Sequence, residues 1–223
     1  MSGSGKWRNS QWPEMLAAIL PILHRHKPGT DWWDFGGGTA LSVHLEHRVS
    51  YDIDIFIDSS KHLKALTPQF NADIKNLLGN NSFEYPGYYL KLYQEHGEID
   101  FIIGSPQTEP GVVSWEFNNY PIMIETPEEI IMKKIIYRGS KFKNRDVFDL
   151  AAVLDSERRQ VMVDSLSANT ESLPLLLDRI GLLEGTYEQQ IQYDVNPLPA
   201  GRKWMTLHAI KIATDCLSGI LGD

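Results

Sequence analysis

The sequence has little of what marks secreted, membrane or general nucleic-acid-binding proteins. Cys216 is its single cysteine, so no internal disulfide can form and a reducing compartment is expected. It has no apolar run of about 18 residues and no apolar stretch typical of a signal peptide at its start, so we expect a cytoplasmic chain that does not span a membrane. The formal net charge of −8 argues against sequence-blind binding of nucleic acid.

Positive charge is nevertheless concentrated in one short segment, from Ile130 to Arg145. This basic segment contains no acidic residue and has six basic ones, namely Lys133, Lys134, Arg138, Lys141, Lys143 and Arg145. Two interpretations are open. The segment is either a solvated surface or a local site for phosphate groups.

Helical and strand-like patterns change along the chain at about residue 155. Before it, helical periods alternate with short apolar runs, including strands predicted at 32–35 and 51–57 and two hairpins. After Asp155 the strand signals fade and the patterns are helical. We therefore predict an α/β domain with an N-terminal helix over residues 1–155, followed by a helical C-terminal lobe over residues 156–223.

Two aspartates, Asp52 and Asp54, interrupt an otherwise apolar strand-like run. In a strand, residues i and i+2 point to the same side, so the two carboxylates share one face while Ile53 and Ile55 share the other. Divalent cations bound by the carboxylate oxygens would remove the repulsion between them. A D-x-D pair alone is more often solvated than metal-binding, so the prediction of a metal site needs further support.

Two other features supply that support. Three consecutive glycines and Thr39 precede the aspartates, and glycines let a phosphate approach the backbone closely. Thr39 is placed to cap the next helix, whose free N–H groups attract anions. Asp100 is again an acid in an apolar strand, and with Asp52 and Asp54 it would complete a three-carboxylate site. The alternative is that Asp100 is an exposed residue at a sheet edge.

These residues resemble the nucleotidyltransferase fold of the polymerase β superfamily. Within it, the segments "GGTALSVHLEHRVSYDIDIF" and "MKKIIYRGSKFKNRDVFDL" are similar to those of AbiEii/AbiGii-type nucleotidyltransferase toxins. The similarity extends over residues 33–155. It implies a polymerase β-like α/β domain, with a mixed sheet and flanking helices, and Mg²⁺- or Mn²⁺-dependent transfer of a nucleoside monophosphate from an NTP to a hydroxyl.

The resemblance also implies roles for individual residues. The expected metal ligands are Asp52, Asp54 and Asp100, and Lys133 and Asp146 are expected to join them in the catalytic set. The expected nucleotide-binding residues are Gly37, Gly38, Thr39, Ser50 and Lys133.

Several assignments stay open from the sequence. Lys133 and Lys134 compete for one role, and the position of Met132 favours Lys133. Ser50 either starts the strand, which we favour, or is an acceptor near the metals. Asp149 is expected to be a structural partner.

Histidines invite a different interpretation of the site. His44 and His47 are three residues apart on a predicted helix, a spacing seen in zinc sites. Nothing in the sequence completes a zinc ligand set with them, so we interpret both as surface residues.

The resemblance further implies a bacterial toxin that modifies RNA at the acceptor end of tRNA. It also implies a separate antitoxin protein that controls this toxin. One alternative is a nucleotidyltransferase with a small-molecule acceptor, which the acidic net charge favours. Another is a nucleotide-binding interaction module without turnover. The three-acid set argues against the latter, because a site that only binds nucleotide has no need of a third metal ligand.

Overall fold

The computed structural model describes residues 10–222. Residues 1–9 and Asp223 lie outside the described part, so the expectation that the start of the chain lacks a signal peptide falls partly on residues that are not described. The chain forms two compact units. The first contains the residues up to Ala40, Ser50–Pro106 and Val112–Glu125; the second contains Leu41–Val49, Gln107–Gly111 and the residues from Thr126 onward. The boundary predicted after Asp155 falls inside the second unit, and the division into a domain and a C-terminal lobe at this point stays a prediction.

A mixed seven-stranded sheet forms the first unit. Its strands are β1 (Trp33–Gly36), β2 (Ile53–Ile57), β3 (Phe83–Glu84), β4 (Tyr89–Gln94), β5 (Gly97–Ile103), β6 (Val112–Phe117) and β7 (Tyr120–Glu125). Their order across the sheet is β3-β4-β5-β2-β1-β7-β6. β2 runs antiparallel to β1 and parallel to β5, while β1 runs parallel to β7. Both predicted hairpins are confirmed, as β4–β5 and β6–β7.

Helix α1 (Trp12–His26) supplies apolar side chains to the core of the first unit. Leu16, Ile19 and Leu23 on one face of this helix are completely buried, and the Trp12 and Phe35 rings lie 6.0 Å apart. Pro21 lies inside the helix. The segment around Pro68 separates two shorter helices, α3 (Ser60–Ala65) and α4 (Ala72–Leu78).

Strand β2 starts two residues later than the sequence predicts, and this difference bears on the site. Ile53, Ile55 and Ile57 are buried, as expected for one face. Asp52 lies before the strand, and its backbone carbonyl accepts a hydrogen bond from the Thr39 hydroxyl. The Asp52 backbone is therefore tied to the segment after β1 instead of continuing the strand.

The second unit is helical. Its helices are α5 (Pro127–Arg138), α6 (Asn144–Leu154), α7 (Arg159–Ser167), α8 (Leu173–Glu184), α9 (Tyr187–Asp194) and α10 (Leu207–Gly222). Helix α2 (Gly37–Leu45) begins in the first unit and ends in the second. Helix α6 is the core of the second unit, because α5, α7, α9 and α10 all pack against it. Over residues 10–222, no helix is both long and apolar enough to cross a membrane.

The start of α5 is as the sequence predicts. The Thr126 hydroxyl accepts the Glu129 N–H at 3.3 Å, and Pro127 occupies the first turn, where its missing N–H costs nothing. This cap fixes where α5 begins, and α5 carries the basic segment only as far as Arg138, because the chain leaves the helix there and Lys141, Lys143 and Arg145 follow it.

Candidate active site

Two of the predicted metal ligands, Asp54 and Asp100, are direct neighbours across the sheet; we call them the acid pair. They are paired in the parallel register of β2 and β5. On the other side of Asp54 stands Gly36 of β1, and on the other side of Asp100 stands Lys91 of β4. Residues paired across neighbouring strands project from the same face of a sheet, so both carboxylates and Lys91 share one face.

The electrostatics of Asp100 favour a cation beside it. Burial and then the neighbouring charge of Asp54 raise its pKa to about 7, and these effects exceed the opposing attraction of Lys91. The Lys91 ammonium lies 3.1 Å from Asp100 Oδ2 and is also bonded to Glu98. Among the described residues, Asp100 Oδ1 is buried and has no hydrogen-bond partner. An oxygen left in this way is a suitable ligand for a divalent cation.

Asp52 stands apart from the acid pair in its contacts. Its side chain is at the surface, and Oδ1 accepts the Glu98 N–H at 3.1 Å. Within the described chain, no three His, Cys, Asp or Glu side chains are gathered as a metal-binding group. The structure therefore brings two of the three acids together, and Asp52 as a ligand stays a prediction.

The glycine turn at the start of α2 adjoins Asp54. Gly37 has a φ of +67°, and a Cβ there would stand 1.9 Å from Asp54 Oδ2. The turn thus needs glycine both for its backbone conformation and for the close approach of the carboxylate. This proximity places the acid pair next to the first amides of a helix.

Thr39 and Ser50 tie this turn to the segment before β2. Their hydroxyls lie 2.8 Å apart and both side chains are buried. The Thr39 hydroxyl also bonds the Asp52 carbonyl. These contacts give both residues a structural role, and their predicted contacts with nucleotide stay a prediction.

Lys133 and Asp146 belong to the second unit, where both are held in ion pairs. Lys133 Nζ lies 3.1 Å from Glu129 Oε1, and the same carboxylate accepts the backbone N–H groups of Gln107 and Thr108. Asp146 is fully buried, bonds Arg138, and accepts the Lys143 N–H at 2.9 Å. Their assignment to the catalytic set stays a prediction.

A buried ionic cluster surrounds Asp149; we call Asp149 with His47, Arg48 and Lys134 the Asp149 cluster. Arg48 donates Nε and Nη2 to the two carboxylate oxygens at 2.8 and 3.0 Å. Lys134 bonds the same carboxylate, and His47 Nε2 lies 2.8 Å from it. Burial alone would raise the pKa of Asp149, but Arg48 and Lys134 outweigh it and hold the pKa well below its usual range.

The interpretation of His47 as a surface residue is wrong. Its side chain is fully buried, and burial lowers its pKa despite the hydrogen bond with Asp149. No local pattern reveals this contact, because Asp149 lies 102 residues away along the chain. The expectation that Asp149 is a structural partner agrees with these contacts.

The basic segment is not one continuous positive surface. Three of its six basic residues form internal ion pairs: Lys133 with Glu129, Lys134 with Asp149, and Arg138 with Asp146. The other three, Lys141, Lys143 and Arg145, are exposed. Any contact of this segment with an RNA backbone must therefore rely chiefly on these three.

The fold matches those of two solved structures. A Helicobacter pylori structure described as a nucleotidyltransferase superposes with a TM-score of 0.54 at 16% identity, covering 93% of this chain and 92% of that chain. JHP933 from Helicobacter pylori superposes with a TM-score of 0.50 at 14% identity, covering 94% and 91%. The predicted nucleotidyltransferase fold, with its mixed sheet and flanking helices, is confirmed.

The family follows from the sequence itself. Residues 22–185 match the family described as the nucleotidyl transferase AbiEii toxin of type IV toxin-antitoxin systems. This protein therefore belongs to the AbiEii nucleotidyltransferase toxin family, as the two motif segments predict. A comparison with curated proteins finds no match.

Proposed function

We propose that this protein transfers a nucleoside monophosphate from an NTP to a hydroxyl of RNA, at the acceptor end of tRNA, and that it requires a divalent cation. The observation that carries the proposal is the acid pair beside the glycine turn. Asp100 of this pair has an unpartnered carboxylate oxygen, and Asp54 lies against the turn whose amides begin α2. In this proposal, the groups that would hold the cation and those that would hold phosphate are neighbours.

In the proposed reaction the acceptor oxygen attacks the α-phosphorus of the NTP. A new O–P bond forms, the bond to pyrophosphate breaks, and the hydroxyl loses its proton. When bound, Mg²⁺ or Mn²⁺ would lower the pKa of the attacking hydroxyl and offset charge on the triphosphate. Asp54 and Asp100 would hold the cation, with Asp52 as a further ligand.

The remaining predicted residues bind and orient the nucleotide in this proposal. Gly37 and Gly38 leave room for a phosphate to approach the backbone, and Thr39 and Ser50 keep the turn in place through their buried hydroxyl contact. Lys133 would neutralise phosphate charge as a point cation. Asp146 would contribute by holding Arg138 and the Lys143 backbone in place through its buried hydrogen bonds.

An RNA acceptor is supported by Lys141, Lys143 and Arg145, whose side chains are exposed on neighbouring positions of the second unit. The family description names a toxin-antitoxin system, which supports a separate antitoxin protein as the partner that controls the activity. A cytoplasmic location, where NTPs and tRNA are found, is part of the same proposal.

A small-molecule acceptor is the second candidate. It is favoured by the net charge of −8 and by the internal pairing of Lys133, Lys134 and Arg138, which leaves few positive charges for an RNA backbone. Its expected signature is transfer that does not depend on added RNA.

One experiment tests these alternatives together. The protein is incubated with each radiolabelled NTP, Mg²⁺ or Mn²⁺, and total RNA, and the products are separated on a denaturing gel, with Asp54→Asn as the control. We expect the wild type to label the tRNA band and Asp54→Asn to leave it unlabelled. Label that reaches only small molecules favours the second candidate. NTP binding without any transfer would contradict the proposed activity and indicate a binding module.

A further inference from the structure

A further carboxylate, that of Glu125, lies against the glycine turn from the side opposite Asp54. Glu125 ends β7 and directly follows Ile124, which is paired with Phe35 in the parallel register of β1 and β7. Its side chain is completely buried. Sequence patterns do not single out Glu125, since the contact spans 88 residues and none of the motifs described above includes it.

The backbone N–H of Gly37 donates a hydrogen bond to Glu125 Oε2 at 3.2 Å. A Cβ on Gly36 would stand 2.0 Å from the same oxygen, just as one on Gly37 would stand 1.9 Å from Asp54 Oδ2. Two carboxylates therefore flank the turn, and both reach it only because the turn has no side chains.

The bonded amide is one that a phosphate would be expected to use. Gly37 is the first residue of α2, and the N–H groups of a first helical turn have no partner within the helix. Such amides attract anions, including the phosphates of nucleotides. Here an anion of the protein itself already accepts the hydrogen bond of the first amide.

We propose that Glu125 competes with the nucleotide triphosphate for the glycine turn, so that the nucleotide binds there only together with a divalent cation. This inference rests on the proposed function. Without the cation, the triphosphate has to displace the Glu125 carboxylate while it approaches the charges of the acid pair. With the cation, the added positive charge offsets this repulsion. Glu125 thereby acts as a positioning residue that prevents the binding of metal-free nucleotide.

The test is a comparison of nucleotide affinity with and without the cation. The dissociation constant of a fluorescent NTP analogue is measured in EDTA and in saturating Mg²⁺, for the wild type and for Glu125→Gln, whose side chain keeps the shape and loses the charge. We expect Glu125→Gln to bind the analogue roughly tenfold more tightly in EDTA, with a change of less than about twofold in Mg²⁺. The ratio of the dissociation constants in EDTA and in Mg²⁺ should therefore be smaller for Glu125→Gln than for the wild type.

Two more variants separate this role from a structural one. Glu125→Ala removes the charge and the hydrogen bond together and should reduce the metal dependence at least as much. Glu116→Gln removes the same charge from an exposed position on β6 and should leave it unchanged. Thermal melts of all variants establish that they are folded.

The outcomes distinguish this inference from the proposed function. A wild type that binds no NTP even with Mg²⁺ would contradict both. A wild type that binds equally well in EDTA and Mg²⁺, or an unchanged ratio in both Glu125 variants, would overturn the inference alone. Weaker binding of the Mg²⁺–NTP complex in both variants would also overturn it, because Glu125 would then be a ligand of the cation.

Discussion

The acid pair and the Asp149 cluster differ in how far neighbouring positive charges compensate their carboxylates. Asp149 is fully buried, yet Arg48, Lys134 and His47 surround it, and its pKa lies well below the usual range. Asp100 is less buried and has one cation, Lys91, which Glu98 shares, and its pKa is raised to about 7. The carboxylate that is deeper in the protein is thus the better compensated one.

This difference distinguishes the structural acid Asp149 from Asp100, for which we propose a functional role. A buried charge with several partners is fixed in place, and losing any partner leaves the others uncompensated. An acid such as Asp100, which has a neighbouring acid and shares its one cation with Glu98, is a position where an external cation gains binding energy. Burial and a perturbed pKa are present at both places, so only the balance of charges tells them apart.

The largest expected effect is on stability at the Asp149 cluster. Asp149→Asn should lower the free energy of unfolding by about 3–5 kcal/mol, because Arg48 and Lys134 lose their buried counter-charge. Urea denaturation measures the change. The matched control is Asp215→Asn, which breaks the exposed pair with Lys211 and should cost less than about 1 kcal/mol. Similar losses in both variants would contradict the structural role assigned to the Asp149 cluster.

At the acid pair the same substitution should affect activity and not stability. We expect Asp54→Asn to reduce nucleotide transfer at least about a hundredfold, since a metal ligand contributes several kcal/mol to the transition state. In the metal-free protein its melting temperature should stay constant or rise slightly, because the repulsion with Asp100 is relieved. Near-normal transfer, or a large loss of stability, would show that Asp54 is structural.

The pKa of Asp100 predicts a pH dependence in two parts. Its pKa of about 7 in the folded protein exceeds the usual value of 3.8, so in the metal-free protein this group contributes stability at low pH that is lost as the pH rises from about 4 to about 7. A cation competes with that proton, so the increase in melting temperature caused by Mn²⁺ should diminish as the pH falls below about 7. Melts from pH 5 to 9 measure both, and Asp100→Asn should show neither trend.

The smallest expected effect concerns the exposed part of the basic segment. If RNA is the acceptor, Lys141→Gln combined with Lys143→Gln should reduce RNA use several-fold and flatten its dependence on salt, because fewer counterions are released. NTP binding should not change. Lys61→Gln with Lys75→Gln removes the same charge from exposed positions in the first unit and is the control. A flat salt dependence in the wild type would favour a small-molecule acceptor.

Local patterns in the sequence predicted most of the elements around the site. The period-2 isoleucines of β2, the cap at Thr126 and the two hairpins all depend on residues close together in the chain, and all are confirmed. The start of β2 was misplaced because the Asp52 carbonyl bonds Thr39, a contact that no strand pattern reveals.

Contacts between distant parts of the chain could not be predicted in this way. The Glu125 bond to Gly37 and the burial of His47 both depend on which strands and helices become neighbours. For the same reason, the basic segment looked like a single positive patch. The acids that neutralise half of it include Asp149, and its contact with Lys134 is a property of the folded chain.

The central claim, that the acid pair binds a cation together with the nucleotide, is tested most directly by a thermal shift measurement. The melting temperatures of the wild type and of Asp54→Asn are measured with a non-hydrolysable NTP analogue, with and without Mg²⁺. A ligand that binds only the folded state raises the melting temperature by mass action. We predict a large increase for the wild type only when both analogue and Mg²⁺ are present, and none for Asp54→Asn. Equal increases with and without Mg²⁺, or the same increase in Asp54→Asn, would contradict the account.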